Sequence, residues 1–232
     1  MNKHTKTNPF HTSIMTKLLD KYPLAYELFV CVTNFPMREG VYKVLPSISG
    51  TVLQVGCGTG LLNLYCKKNI AKYGEINFIN MDVNGNALRF GKSIGRYTDY
   101  LHASIYDVPL ENESIDYIVF ARCLHHIRSH KKMFTECARL LKKNGEIIIL
   151  DVAVVKELQK KAATLRGSFM VNSSLDGLIW RYDKGDLTER IKKTKTDTLE
   201  IVTIEEIRQI NITNYNLKYP QTDIVAVLKK VT

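Results

Sequence analysis

Between residues 50 and 155 the apolar positions follow two alternating rhythms. Short runs rich in β-branched residues at 52–55, 76–81, about 100–103, 115–120 and 146–151 read as buried strands. Between them, helical spacing covers 60–73, 84–95 (Ala87, Leu88, Phe90, Ile94) and 129–142 (Met133, Phe134, Ala138, Leu140, Leu141). Asn144-Gly145 is predicted to end the last of these helices, since both residues tolerate left-handed backbone. Strands alternating with helices at this pitch imply a parallel sheet covered on both faces.

The flanks are less regular. Residues 12–44 read as two helices broken near Pro36, with an apolar stripe that includes Leu18, Leu19, Tyr22, Tyr26 and Phe29. The stripe has two readings: packing onto the sheet, or a lid whose Tyr22, Tyr26 and Phe35 face a substrate. Downstream, 156–165 reads as helix, and 166–185 is mixed around the lone Trp180. Asp186-Leu-Thr-Glu189 resembles a capping box opening a helix to about Thr194. The stretch 198–212 fits either one strand or a strand plus a helical turn, and 223–229 is a last strand. The expected division is an N-terminal helical lid or substrate cap at 1–45 and one domain at 46–232, with a variable insertion at about 156–200.

The chemistry concentrates where the first strand ends. Gly56, Gly58 and Gly60 follow it directly and lead into a helix, which lets a ligand press against bare backbone N–H groups at a helix N-terminus. A dinucleotide fingerprint needs glycine at position 61, where Leu61 stands, so that motif fails. In an open α/β sheet ligands bind beyond the carboxyl ends of the strands. Four stretches converge there: the glycine turn, Asp82 at the end of the second strand, Ser104-Ile105 after the third, and Ala121-Arg122 with His125-His126 after the fourth. A carboxylate at 82 can accept hydrogen bonds from both hydroxyls of a ribose. A nucleoside with a charged tail therefore fits, with its ribose on Asp82, its base near Ser104 and its tail over Gly56–Gly60.

Net charge is +10, but the lysine doublets are spread along the chain, at 67–68, 131–132, 142–143 and 192–193. They read as solvated helix faces or as an attraction for an anionic substrate or RNA. The five cysteines form no C-x-x-C pair and are odd in number, as expected of reduced core residues in a cytoplasmic protein. No run of 18 apolar residues and no signal-peptide pattern appears, so no membrane partner is expected. The histidines show no metal-ligand spacing, so no metal is expected.

The motifs resemble those of class I S-adenosylmethionine-dependent methyltransferases. Val52-Leu-Gln-Val-Gly-Cys-Gly-Thr-Gly60 is similar to the first motif of that family and Asn80-Met-Asp82-Val-Asn to the second. Val108-Pro-Leu110 with Ser114-Ile-Asp-Tyr117, Leu124-His-His-Ile127, and Arg139-Leu-Leu-Lys-Lys-Asn-Gly145 resemble segments of its small-molecule branch, which includes ubiquinone and menaquinone methyltransferases. The likeness runs in order over about 50–155. It implies a Rossmann-like α/β fold, a mostly parallel seven-stranded sheet with helices on both faces and an N-terminal helical lid. It also implies S-adenosylmethionine as cofactor, with Gln54, Gly56, Cys57, Gly58, Gly60, Asp82, Val83, Ser104, Ile105 and Ala121 around it. Two positions depart from the family: Gln54 and Ser104 stand where acidic residues are usual. Each swap exchanges a charge-assisted bond for a neutral one, an expected loss of about 1–2 kcal/mol in cofactor affinity.

The expected reaction is methyl transfer to O, N or C of a small molecule or peptide-derived metabolite. His125 and His126 are the candidate bases by position, while Tyr22, Tyr26, Trp180 and Tyr182 are candidate walls of the substrate pocket. The charge supports an alternative, an RNA methyltransferase. Against it, the N-P-P-Y type tetrapeptide of many nucleic-acid enzymes is absent, and Phe120-Ala-Arg-Cys123 stands in its place. Gln54 and Ser104 support a second alternative, a cofactor-binding module without turnover.

Overall fold

The strand that ends in the glycine turn, β1 (Gly50–Val55), lies in the middle of the sheet. It pairs in parallel with β2 (Ile76–Asp82) on one side and β4 (Ile115–Ala121) on the other. The structure is a computed structural model and describes residues 14–29, 41–74, 76–154, 170–173, 177–180, 182–207 and 221–232. Beyond β2 lies β3 (Leu101–His102), and beyond β4 come β5 (Leu141–Val154), β9 (Gln221–Lys230) and β8 (Leu199–Ile207). The order is β3-β2-β1-β4-β5-β9-β8 in a seven-stranded sheet, with β9 antiparallel to both its neighbours. The chain steps outward from β1 to β3 and then returns to β4, so the order reverses between β1 and β4. Ligands bind at such a switch point.

Alternation along each strand assigns the two faces. Leu53, Val55, Phe120, Ile147 and Ile149 pack to one side with Met133, Phe134 and Leu140 of α6 (His130–Leu140). Val52, Val119, Ile148 and Leu150 pack to the other with Tyr42 and with Leu61, Leu62 and Tyr65 of α3 (Leu61–Lys68). Further helices among the described residues include α1 (Ile14–Lys21), α2 (Pro23–Phe29), α4 (Ile70–Tyr73), α5 (Gly85–Ser93) and α7 (Lys184–Thr194). Strands β6 (Met170–Ser173) and β7 (Gly177–Trp180) pair as an antiparallel hairpin within the stretch 156–200 expected to be an insertion.

Several boundaries differ from the sequence reading, each for a local reason. The helix expected over 60–73 is split at Asn69, whose side-chain amide donates to the Tyr65 carbonyl at 2.8 Å, a bond that competes with the helical ladder. Helix α6 stops at Leu140 rather than at Asn144-Gly145. Leu141 is fully buried and already extended, paired with Ile115 at the start of β5. Asn144 does take left-handed backbone (φ 65°), but inside the register shift of β5. Helix α7 is capped by Asp183, which accepts from the Asp186 N–H at 2.7 Å, so Asp186 is a first-turn residue and not the cap. The first helix break falls at Tyr22-Pro23, where proline opens α2 without losing a helical bond. Within 198–212 the described part is one strand, β8. The helix expected at 156–165, with Phe35 and Pro36, lies outside the described residues.

Candidate functional site

The end of β1 is held to β2 before the glycine turn begins. The Cys57 N–H donates to the Met81 carbonyl at 3.0 Å, which ties the chain to β2 two residues past the end of β1. Gly56 has φ 64°, and a Cβ there would lie 2.7 Å from Cys123 Cβ, so position 56 has no room for a side chain. The Cys123 thiol in turn donates to the Val55 carbonyl at 3.1 Å. At Gly58 (φ 54°) the case is the opposite: a Cβ would meet nothing within 4 Å. The turn thus presents backbone to open space at its crest, the surface a flat or linear ligand can lie against. Gly60, also left-handed, leads directly into α3.

Asp82 meets that turn. Its Oδ2 accepts the Gly58 N–H at 2.8 Å and its Oδ1 accepts the Asn84 N–H at 2.8 Å. A carboxylate offers about four acceptor directions. Two backbone amides fix its orientation, and a carboxylate is the chemical complement of a vicinal diol. Asn84 then caps α5, accepting from the N–H groups of Asn86 and Ala87.

The other predicted cofactor positions frame the same rim. Val83, next to Asp82, leaves half of its apolar surface exposed, and its carbonyl accepts from His102 Nε2 at 3.0 Å. Ile105 is buried, while the half-buried Ser104 accepts the Tyr106 N–H at 3.3 Å and so keeps its own hydroxyl proton to donate. Ala121 is buried where β4 ends. Gln54 is buried beneath the turn, and its Oε1 accepts no hydrogen bond. A buried carbonyl oxygen without a donor costs about 1–3 kcal/mol, and an ammonium or amide N–H on a ligand would recover it. An open glycine crest, a diol-matched carboxylate and an orphan acceptor at position 54 together fit a nucleoside with an aminoacyl tail.

The two predicted bases have different surroundings. His125 is buried, its backbone N–H donating to Asp151 Oδ2 at 2.9 Å and its Nδ1 lying 2.6 Å from Asp151 Oδ1. Asp151 is fully buried in β5 and can only accept, so His125 Nδ1 carries the proton and Nε2 is left as the basic nitrogen. His126 is half-buried and its ring lies 4.1 Å from that of His125. The hairpin strand β7 lies against this segment, the short 3-10 helix Leu124–His126. Arg122, just upstream, holds left-handed backbone (φ 63°) and pairs with Asp223 at 2.9 Å, joining the ends of β4 and β9.

The substrate-wall candidates separate. Tyr182 is a core residue, against expectation: it is 1% exposed and its hydroxyl bonds His130 Nε2 at 3.0 Å. The His130 ring also accepts from Arg190 Nε at 2.8 Å, and burial, then the Arg190 charge, push its pKa down to about 3. This neutral histidine and its tyrosine form a buried hydrogen-bonded pair. Tyr26 is half-buried against the face that carries Tyr42 and Tyr65, while Tyr22 is exposed beside Lys21. The Trp180 backbone pairs with Met170 across the hairpin, and its side chain lies outside what is described. Burial raises the Cys57 and Cys123 thiols well above their usual range, so neither is a nucleophile.

Three residues that the sequence reading missed complete the site. The Tyr97 hydroxyl donates to the Gly58 carbonyl at 3.1 Å. Glu27 of α2 accepts from the Thr59 hydroxyl at 2.7 Å and pairs with Arg96 at 2.6 Å. Asp151 orients His125. Each reaches the site from a distant part of the chain, so no local pattern marks it.

Comparison with known proteins finds both similar sequences and similar folds. A family model described as "Methyltransferase domain" matches residues 53–149. The chain is 24% identical over 161 residues to the Ubiquinone/menaquinone biosynthesis C-methyltransferase UbiE of Rickettsia massiliae, a match spanning 66% of this chain and 65% of that protein. Its fold is similar to a solved chain from the complex between the Haloferax volcanii Trm112 methyltransferase activator and the putative methyltransferase. That likeness has a TM-score of 0.68 at 14% identity and covers 93% of this chain and 97% of that one. A Haemonchus contortus phosphoethanolamine N-methyltransferase 2, solved with phosphomonomethylethanolamine and S-adenosylhomocysteine, gives a TM-score of 0.61 at 14% identity, covering 94% of this chain and 60% of that one. Among the described residues, no helix is long and apolar enough to cross a membrane.

Proposed function

From the match of residues 53–149 to a methyltransferase domain, we propose that the protein is a class I S-adenosylmethionine-dependent methyltransferase that transfers a methyl group from that donor to a small-molecule acceptor. The observation that carries the proposal is the clasp between the Gly58 N–H and Asp82 Oδ2 at 2.8 Å, which puts the glycine crest and the diol-matched carboxylate on one rim. Asp82 accepts the ribose hydroxyls. Gly56, Cys57, Gly58 and Gly60 back the adenosine and methionine portions, Gln54 Oε1 takes a hydrogen of the ammonium, and Val83, Ser104 and Ile105 border the adenine. When bound, the donor supplies a sulfonium-activated methyl group, electrophilic without help from the protein.

What the chain must add is alignment, exclusion of water and, for some acceptors, a base. Holding a nucleophile in line supplies several kcal/mol of the barrier, roughly 7–11 in well-oriented systems. His125 Nε2 removes the proton of a hydroxyl, carbon acid or ammonium acceptor, and Asp151 stabilises the imidazolium that results. The hairpin against Leu124–His126 supplies the wall nearest this base. A small-molecule acceptor is supported over RNA by the similar proteins, a ubiquinone/menaquinone biosynthesis C-methyltransferase and a phosphoethanolamine N-methyltransferase solved with phosphomonomethylethanolamine.

Isothermal calorimetry with S-adenosylhomocysteine tests the seat directly. Binding in the wild-type chain, lost when Asp82→Ala removes the carboxylate, is the expected result. A wild-type chain that binds neither this nucleoside nor its methylated form ends the proposal. Labelled methyl transfer to a panel of hydroxyl, amine and carbon-acid acceptors then separates the acceptor classes.

A further inference from the structure

We infer that the α1–α2 helix pair forms the second half of the donor seat, and that Glu27 is the positioning residue that couples the two halves. The inference rests on the donor reading above. Helix α2 places Glu27 over the glycine turn, 6% exposed, with one carboxylate oxygen on each of two partners. Oε2 accepts the hydroxyl of Thr59, a residue of the turn that is itself buried, at 2.7 Å. Oε1 pairs with Arg96 Nη2 at 2.6 Å, and Arg96 comes from the loop after α5.

The same helix pair reaches the opposite lip of the seat. Asp20 at the end of α1 accepts from the side-chain amides of Asn84 at 3.1 Å and Asn86 at 3.2 Å. The Asn84 N–H is one of the two donors that orient Asp82, and the Gly58 N–H, next to Thr59, is the other. The helix pair therefore grips, through Glu27 and Asp20, the two short segments whose backbone aims the ribose carboxylate. Neither acid belongs to the sheet domain. If the helix pair is not docked, Thr59 loses its acceptor, Arg96 loses its counter-charge, and Asn84 and Asn86 lose theirs.

Docking of α1–α2 and binding at the turn must then favour each other, because two events that order the same segments share a coupling free energy that acts in both directions. Glu27 carries most of it. One of its bonds is an ion pair to Arg96 and the other, to Thr59, is buried, whereas both bonds of Asp20 are exposed and go to neutral amides.

The test is hydrogen–deuterium exchange on the full chain, following peptides that cover residues 14–29, with and without S-adenosylhomocysteine. Calorimetry of the same ligand accompanies it. In the wild-type chain the ligand is expected to slow exchange in this segment. In Glu27→Gln, which keeps the shape but removes the charge, the dissociation constant is expected to rise about tenfold. Slowing over 14–29 should be lost, and the KM for the donor should rise by a larger factor than kcat falls. Thr59→Val, which removes the same bond from the other side, should reproduce the weakened binding; Thr59→Ser should restore it. If the wild-type chain binds the ligand but exchange over 14–29 does not change, the coupling is refuted while the donor reading stands. Glu27→Gln binding as tightly as wild type refutes it equally. If the wild-type chain does not bind the ligand at all, the donor reading fails and this inference falls with it.

Discussion

Lowering the pH from 7.5 to 5 puts a specific load on His130. The ring is held neutral in the folded chain by burial and by Arg190, whose Nε–H points at its Nδ1. Its folded pKa is about 3, against 6.5 for an ordinary histidine. Between those values the unfolded chain takes up a proton that the folded chain refuses, so stability falls as the pH falls through 6.5 and goes on falling until about 3. At pH 5 the linkage amounts to about 2 kcal/mol, and each further pH unit down adds about 1.4 kcal/mol. Carboxylates held low in the fold, such as Asp116 and Glu136, start to contribute only below their own ordinary range, so the interval from 6.5 to 5 isolates histidine. Urea denaturation at pH 7.5 and 5.0, followed by circular dichroism, measures the loss. In His130→Gln the amide can accept from Arg190 and still meet Tyr182, but it cannot titrate. Wild type should lose about 2 kcal/mol more than this variant over the interval, the other histidines being common to both. Equal losses, within about 0.5 kcal/mol of each other, would refute the assignment of a neutral, proton-refusing ring.

Three further outcomes follow from the site. Asp82→Asn replaces one accepting oxygen with a donor that faces a backbone N–H, and should weaken S-adenosylhomocysteine binding by about 2–3 kcal/mol; calorimetry showing unchanged affinity would remove Asp82 from the seat. Asp151→Asn frees the His125 tautomer and should lower kcat about a hundredfold or more with hydroxyl or carbon-acid acceptors, shifting the pH profile while donor affinity is kept. An unaltered profile would mean that His125 is not the base. Gly56→Ala drives a Cβ to 2.7 Å from Cys123 Cβ at a left-handed φ, and should cost at least about 2 kcal/mol; a melting temperature equal to wild type would contradict the packing of the turn.

How far the sequence led depended on whether a feature was local. The glycine turn was legible because it lies within five residues, between an apolar run and a helix, and Asp82 because a strand end at that distance has a known use. The parallel sheet followed from the alternation of two periods, and its seven strands from the family resemblance. Boundaries failed where a single side chain decided them: Asn69 splits a helix by bonding its own preceding turn, and Asp183 takes the cap that Asp186-Leu-Thr-Glu189 advertised. The supporting residues were invisible because they pair across the chain. Glu27 lies 32 positions from Thr59, Tyr97 lies 39 from Gly58, and Asp151 lies 26 from His125. Tyr182 misled for a related reason. Aromatic residues in a variable insertion suit a pocket wall and a core equally, and only its hydroxyl on the buried His130 settles the matter.

Gln54 gains a different meaning from its surroundings. As a departure from an acidic pattern it suggested weakened donor binding. In the fold it is buried, and its neighbour across the strand pair is Asn80, equally buried. The carbonyl oxygens Gln54 Oε1 and Asn80 Oδ1 both accept nothing. A carboxylate at position 54 would have to be desolvated there without a counter-ion whenever the donor is absent, at a cost of several kcal/mol. Two orphan amide oxygens cost less, about 1–3 kcal/mol each, and under the proposed function an ammonium of the donor recovers part of that on arrival. The swap lowers the attraction for the charged tail and also lowers the cost of the empty seat. Measured from the empty state, both changes weaken donor binding, and what the swap gains is stability of the unliganded fold.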